Sequence, residues 1–128
     1  MKILGIGFDI VETGRIAQAL EKFGDKFLRR IYTPNEIEYC RSMKFPNLHF
    51  AARFAAKEAI SKAFGTGIGA TISWKEMEIV KRTSGEPYVQ LHGGAEEHAR
   101  KLHVCEVWVS LSHTEKYGAA NALVAVRE

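Results

Sequence analysis

The chain has 128 residues, 46% hydrophobic and 26% charged, enough for one globular domain with a modest core and too few for a second. Its net charge of +3 is uneven: residues 1–62 carry 11 Lys/Arg against 7 Asp/Glu and residues 63–128 carry 7 against 8, so the basic half suits an acidic protein, a phosphate-rich small molecule or nucleic acid. No apolar run approaches the ~20 residues of a membrane span, residues 1–7 are too short for a secretory leader, and Cys40 and Cys105 lack metal-ligand spacing, which together imply a soluble cytoplasmic protein with two free thiols.

Residues 2–10 (KILGIGFDI) read as a buried strand of aliphatic residues whose glycines allow close approach, and they bring a carboxylate, Asp9, to its edge. Thr13 has the chemistry to cap a helix over residues 14–23, with Ile16, Ala17, Leu20 and Phe23 inward and Arg15 and Lys22 off that stripe. After the Gly24-Asp25 break a short basic helix is predicted over residues 26–31. Thr33-Pro34-Asn35-Glu36 has the pattern of a helix start, predicting a helix over residues 34–42. Phe45-Pro46-Asn47 interrupts the chain, and Asn47 is a candidate cap for the central helix.

Residues 50–69, FAARFAAKEAISKAFGTGIG, are the centre of the sequence. At helical spacing Ala52, Ala56, Ala59 and Ala63 fall on one line beside Ala55, a face with so little bulk that another element can approach it closely. The opposite arc carries Arg53, Lys57, Glu58, Ser61 and Lys62, which predicts a helix buried on one side and chemically equipped on the other. Glu58 and Lys62 also have the i,i+4 spacing of an ordinary exposed ion pair. Gly65, Gly67 and Gly69 end the helix. Their backbone N–H groups beside a lysine are suited to a phosphate, although a helix C-terminus cannot itself attract the anion, so lysine, arginine or a metal must supply the charge.

Beyond Gly69 the pattern turns to strands over residues 72–80, 88–91, 104–112 and 119–126, with one helix over residues 95–102. In the third of these strands Cys105, Val107, Val109 and Leu111 share one face and Trp108, Ser110 and Ser112 the other, with His113 beginning a turn. Helices mixed with an antiparallel meander give an α+β class.

The segments FAARFAAKEAISKAFGTGIG and GIGFDIVETGRI (residues 5–16) resemble the two signatures of the bacterial holo-acyl-carrier-protein synthases, the small phosphopantetheinyl transferases. FLRRIYTPNE (27–36), SGEPYV (84–89) and SLSHTEKYGAA (110–120) extend the likeness over nearly the whole chain. The resemblance implies a phosphopantetheinyl transferase-like fold, with the long central helix packed on a mainly antiparallel sheet. It also implies transfer of 4'-phosphopantetheine from coenzyme A to a serine of apo-acyl carrier protein in fatty acid biosynthesis, with magnesium as cofactor. Breaking a pyrophosphate bond calls for charge neutralisation and in-line positioning, and magnesium needs only one or two protein carboxylates.

By the same resemblance Asp9 and Glu58 are metal ligands and Lys62 meets the pyrophosphate. Ser61, Gly65, Thr66 and Gly67 form the phosphate and pantetheine cradle, and Arg53, Pro87 and His113 hold the nucleotide end. His49 and His103, without a motif, read as surface residues. The carrier is an acidic helical bundle, for which Arg15, Phe23, Lys26 and Phe27 offer a basic, partly apolar docking surface. The expected partners are coenzyme A and the carrier, with neither nucleic acid nor membrane. The family also points to a homotrimer whose clefts lie between subunits, and strands 104–112 and 119–126, with Val109 and Val124, are the predicted contact. The runners-up are a noncatalytic coenzyme A or nucleotide-binding module and a magnesium-dependent nuclease.

Overall fold

The computed structural model describes residues 1–128, and its organising contact is the one between the glycines of the first strand and the alanines of the central helix. Strand β1 (Lys2–Glu12) leads into helices α1 (Thr13–Phe23), α2 (Asp25–Ile31), α3 (Pro34–Arg41) and α4 (Pro46–Phe64). Strands β2 (Met77–Lys81) and β3 (Pro87–Leu91), helix α5 (Gly93–Lys101), and strands β4 (Val104–His113) and β5 (Tyr117–Val126) complete the chain. The strands form a three-stranded antiparallel sheet in the order β1-β5-β4 and a separate β2-β3 hairpin. This is the α+β arrangement expected, with α4 packed on the larger sheet.

Contact between α4 and that sheet depends on missing side chains. A methyl added at Gly7 would collide with the carbonyl oxygen of Ala59, one at Gly5 with that of Ala63, and one at Gly118 with the backbone of Ala51 and Ala52. Both β1 and β5 therefore lie against backbone rather than side chains, and Ala55, Ala56, Ala59 and Ala63 join Ala120, Ala122 and Val124 in the main core. A second core of Ile16, Leu28, Ile31, Tyr32, Cys40 and Phe50 fastens α1 and α2 to the other side of α4.

Helix α4 is consequently buried on more than its alanine face, contrary to the expectation of an open charged arc. Lys57 is fully buried and donates to Glu36 Oε1 at 2.8 Å and to the Trp74 carbonyl at 2.9 Å; Glu36 in turn accepts the Ile79 amide at 2.8 Å. Arg53 and Ser61 are also buried. Only Glu58 and Lys62, of the five residues placed on that arc, reach the surface appreciably.

Several boundaries differ from the sequence reading for local reasons. β1 runs two residues past Ile10, so Asp9 is inside the strand. Thr13 is the first residue of α1 rather than its cap, and its hydroxyl is buried without a partner. Pro46 opens α4 after Phe45, so Asn47 is not a cap. Residues 72–80 do not form one strand, because Ser73 and Glu76 close a capping box around a 3-10 turn and β2 starts only at Met77. His113 belongs to β4, paired with Gly118. The alternation along β4 is as expected from Val107 on, with Val107, Val109 and Leu111 packed on the core and Trp108 exposed, but a register shift between Val104 and Glu106 leaves Val104 and not Cys105 packed against it. Val124 is fully buried and Val109 faces inward, so neither lies on the outer surface predicted for subunit contact.

Candidate active site

Asp9, Glu58 and Lys62 come together because β1 lies so close to α4. Lys62 Nζ donates to Asp9 Oδ1 at 2.9 Å and to the Phe8 carbonyl at 3.2 Å, so its ion pair is with the strand and not with Glu58 one helical turn away. Asp9 is the more sheltered partner, its side chain 20% exposed against 50% for Lys62. Partial burial, then the charge of Asp9, raises the Glu58 carboxyl above its ordinary range, while Lys62 pulls the other way. Two carboxylates that repel each other on a half-sheltered surface are a fitting donor set for a divalent cation.

The glycine-rich exit behaves differently from the cradle expected. The Gly65 amide is bonded to the Lys62 carbonyl, those of Thr66 and Gly67 to the Ser61 carbonyl, and that of Gly69 to the Ile72 carbonyl. These amides close the helix C-terminus around a left-handed Gly65 and are not free for a phosphate. Ser61 is fully buried with its hydroxyl on the Glu58 carbonyl at 2.8 Å, whereas Thr66 and Lys62 are exposed.

Arg53, Pro87 and His113 line one cleft of about 190 Å³ together with Tyr39, His49 and Lys81. The Arg53 guanidinium stacks on the Tyr39 ring at 4.3 Å, and its Nε has no hydrogen-bond partner. His113 also opens onto a larger groove of about 680 Å³ formed with Lys44, Phe45 and Leu48. Neither cavity is lined by Asp9, Glu58 or Lys62. Within one chain the residues expected at the reacting phosphate and those expected at the nucleotide are therefore two separate groups.

Of the residues expected to dock the carrier, Arg15 is well exposed and borders a shallow groove with Ile10 and Tyr117, immediately past Asp9 on β1. Phe23 is 54% exposed under the Lys22 ammonium, and Lys26 is exposed. Phe27 is half-buried edge-on against Tyr32 and offers less to a partner. Burial pushes the Cys40 thiol up to about 12, which leaves it unreactive.

A sequence model of the 4'-phosphopantetheinyl transferase superfamily matches residues 5–120. The chain belongs to this superfamily. It is 48% identical over 122 residues to the holo-[acyl-carrier-protein] synthase of Koribacter versatilis, covering 95% of this chain and 98% of that relative. The enzyme of the same name from Ruminiclostridium cellulolyticum is also 48% identical over 122 residues, covering 94% and 91%. Among solved structures, the fold is similar to the holo-[acyl-carrier-protein] synthase of Neisseria meningitidis, with TM-score 0.90 and 34% identity over 96% of this chain and 98% of that one. The Helicobacter pylori synthase in complex with coenzyme A is similar at TM-score 0.84 and 32% identity, covering 94% and 99%.

Within this family frame, Tyr39, His49 and Lys81 are residues of the Arg53 cleft that the sequence reading did not select. His49 was legible in principle: it stands four residues before Arg53 on α4 and so shares its face. Tyr39 and Lys81 reach the cleft from α3 and β2, and no spacing in the sequence joins them to it.

Proposed function

We propose that the chain transfers the 4'-phosphopantetheine group of coenzyme A to a serine hydroxyl of an apo-acyl carrier protein, releasing adenosine 3',5'-bisphosphate. The observation that carries this reading is the convergence of Asp9, Glu58 and Lys62 across the glycine–alanine contact of β1 and α4, in a chain of this family. Incubation of apo-carrier protein with coenzyme A and magnesium, followed by intact-mass measurement of the carrier, tests it.

Asp9 and Glu58 fit magnesium, because no third His, Cys, Asp or Glu joins them in a metal-binding cluster and magnesium fills its remaining positions with water and phosphate oxygens. When bound, the ion supplies charge neutralisation for the phosphate under attack. Lys62 offsets charge on the departing 3',5'-ADP as the serine oxygen forms its bond to the pantetheine phosphorus and the pyrophosphate P–O bond breaks. Glu58, whose carboxyl is raised above its ordinary range, accepts the serine proton directly or through a water. Arg15, with Phe23 and Lys26 beyond it, receives the acidic carrier next to Asp9.

The nucleotide end belongs to the Arg53–His113 cleft, and a second copy of the chain brings it to the Asp9–Glu58–Lys62 group. The outer face of the three-stranded sheet supports this assembly: Ile6, Phe8 and Ile10 on β1 are 68%, 59% and 55% exposed, with Trp108 on β4, across β5, at 46%. An apolar sheet face of this kind is suited to burial against other subunits, and a trimer with three shared sites accounts for both it and the two separated groups.

A further inference from the structure

His49 projects from α4 into a cleft where every charged side chain is cationic or able to become so. Its ring meets His113 of β4 at 4.8 Å between centroids and Tyr39 of α3 at 6.0 Å. Arg53 from its own helix and Lys81 from β2 line the same cleft and both lie over the Tyr39 ring, at 4.3 and 5.4 Å. No carboxylate lines it; from the β2–β3 turn, Glu86 is engaged with Ser84 and Arg82, while Lys44 and Glu115 stand in the adjoining groove beside His113. Arg53 is 4% exposed, takes part in no ion pair, and leaves Nε unpartnered. A buried guanidinium without a counter-ion, facing a second cation and two imidazoles, is a site completed by an anion.

We propose that His49 contacts the substrate, forming with His113, Arg53 and Lys81 a receptor for a phosphomonoester dianion, and that the paired imidazoles take up a proton when the dianion enters. This rests on the reading that the cleft holds the nucleotide end of coenzyme A, whose one phosphomonoester is the 3'-phosphate; its pyrophosphate is diesterified. In the free protein, burial and then the charges of His113, Arg53 and Lys81 lower the His49 pKa and so disfavour its charged form. A dianion between them reverses the balance, and a proton passes from solvent to the imidazole pair. The consequence is a preference for coenzyme A over dephospho-coenzyme A that weakens as pH rises.

The test is calorimetric titration of the protein with coenzyme A and with dephospho-coenzyme A, in two buffers of different ionisation enthalpy. At about pH 7.5 a phosphomonoester with a second pKa of about 6 is already a dianion, so protons gained report on the protein. Coenzyme A takes up more protons than dephospho-coenzyme A and binds more tightly. His49→Phe removes the extra uptake and reduces the preference about tenfold, as loss of one charge-assisted hydrogen bond implies. His49→Gln, which keeps a donor but does not titrate, removes the uptake and retains more of the preference. Wild-type uptake and preference in both His49 variants overturn the proposal. If Arg53→Gln loses the preference while the His49 variants keep it, the cleft stands and the role of His49 falls. If Arg53→Gln keeps the preference, the nucleotide is seated elsewhere and both readings fall.

Discussion

Replacing Gly7 by alanine sets a methyl group against α4 at the point where β1 lies closest. The added carbon would overlap the Ala59 carbonyl oxygen and lie 2.8 Å from its carbon and 2.9 Å from the Ala63 nitrogen. All three are backbone atoms, so no side chain can rotate aside; β1 has to lift by about 1.5 Å to restore ordinary contact near 3.5 Å. Overpacking of this kind costs about 1–3 kcal/mol, which in a domain of this size lowers the melting temperature by about 5–10 °C. Asp9, two residues along the strand, moves with it, and a misplacement of about 1 Å among reacting groups costs on the order of a hundredfold in rate. Thermal melting and carrier-loading rates of Gly7→Ala measure both effects. Gly14→Ala is the control: nothing lies within 4 Å of its added carbon and it is in α1, so it gains up to about 1 kcal/mol of stability. Wild-type melting and turnover in Gly7→Ala would refute the close-contact account.

The raised Glu58 carboxyl favours its protonated form in the folded chain. Its contribution to stability is therefore complete below the unfolded-state pKa and lost as pH rises through the folded value. Melts in chelator should show stability falling just above the usual carboxylate range, with Glu58→Gln removing that slope; equal slopes in the two proteins would count against a Glu58 carboxyl raised by burial and by Asp9. Lys57→Ala leaves the Glu36 carboxylate buried without its cation and should cost about 3–5 kcal/mol by urea denaturation, with most of it restored in Lys57→Met/Glu36→Gln. A loss below about 1 kcal/mol would mean that water reaches Glu36. If the proposed trimer forms through the exposed sheet face, Trp108→Glu should reduce the mass by light scattering from three times 14.3 kDa to 14.3 kDa and abolish transfer with it. An active trimeric variant would remove that face from the assembly.

Much of this fold was legible because it depends on repetition. The line of alanines on α4 and the glycines of β1 announced a close contact, and the alternation in β4 gave its inner and outer faces correctly from Val107 on. Asp9, Glu58 and Lys62 stood out through motif resemblance, and the structure brings them together. What spacing did not disclose was set by partners distant in sequence. Lys57 and Glu58 are neighbours on one helix, yet the first is buried because Glu36 and Trp74 come from other segments to satisfy it. The glycine loop resembled a cradle by composition, but its amides turn back on Ser61, Lys62 and Ile72. Val124 alternates like an edge residue, but β5 is the central strand, so its inner side faces α4.

The most direct measurement is the intact mass of an apo-acyl carrier protein after incubation with coenzyme A, magnesium and either the wild-type chain, Asp9→Ala or Glu58→Ala, each variant first shown to be folded. The account predicts one phosphopantetheine added per carrier serine with the wild type and no detectable addition with either variant. An unmodified carrier with the wild type, or full modification with either variant, would contradict it.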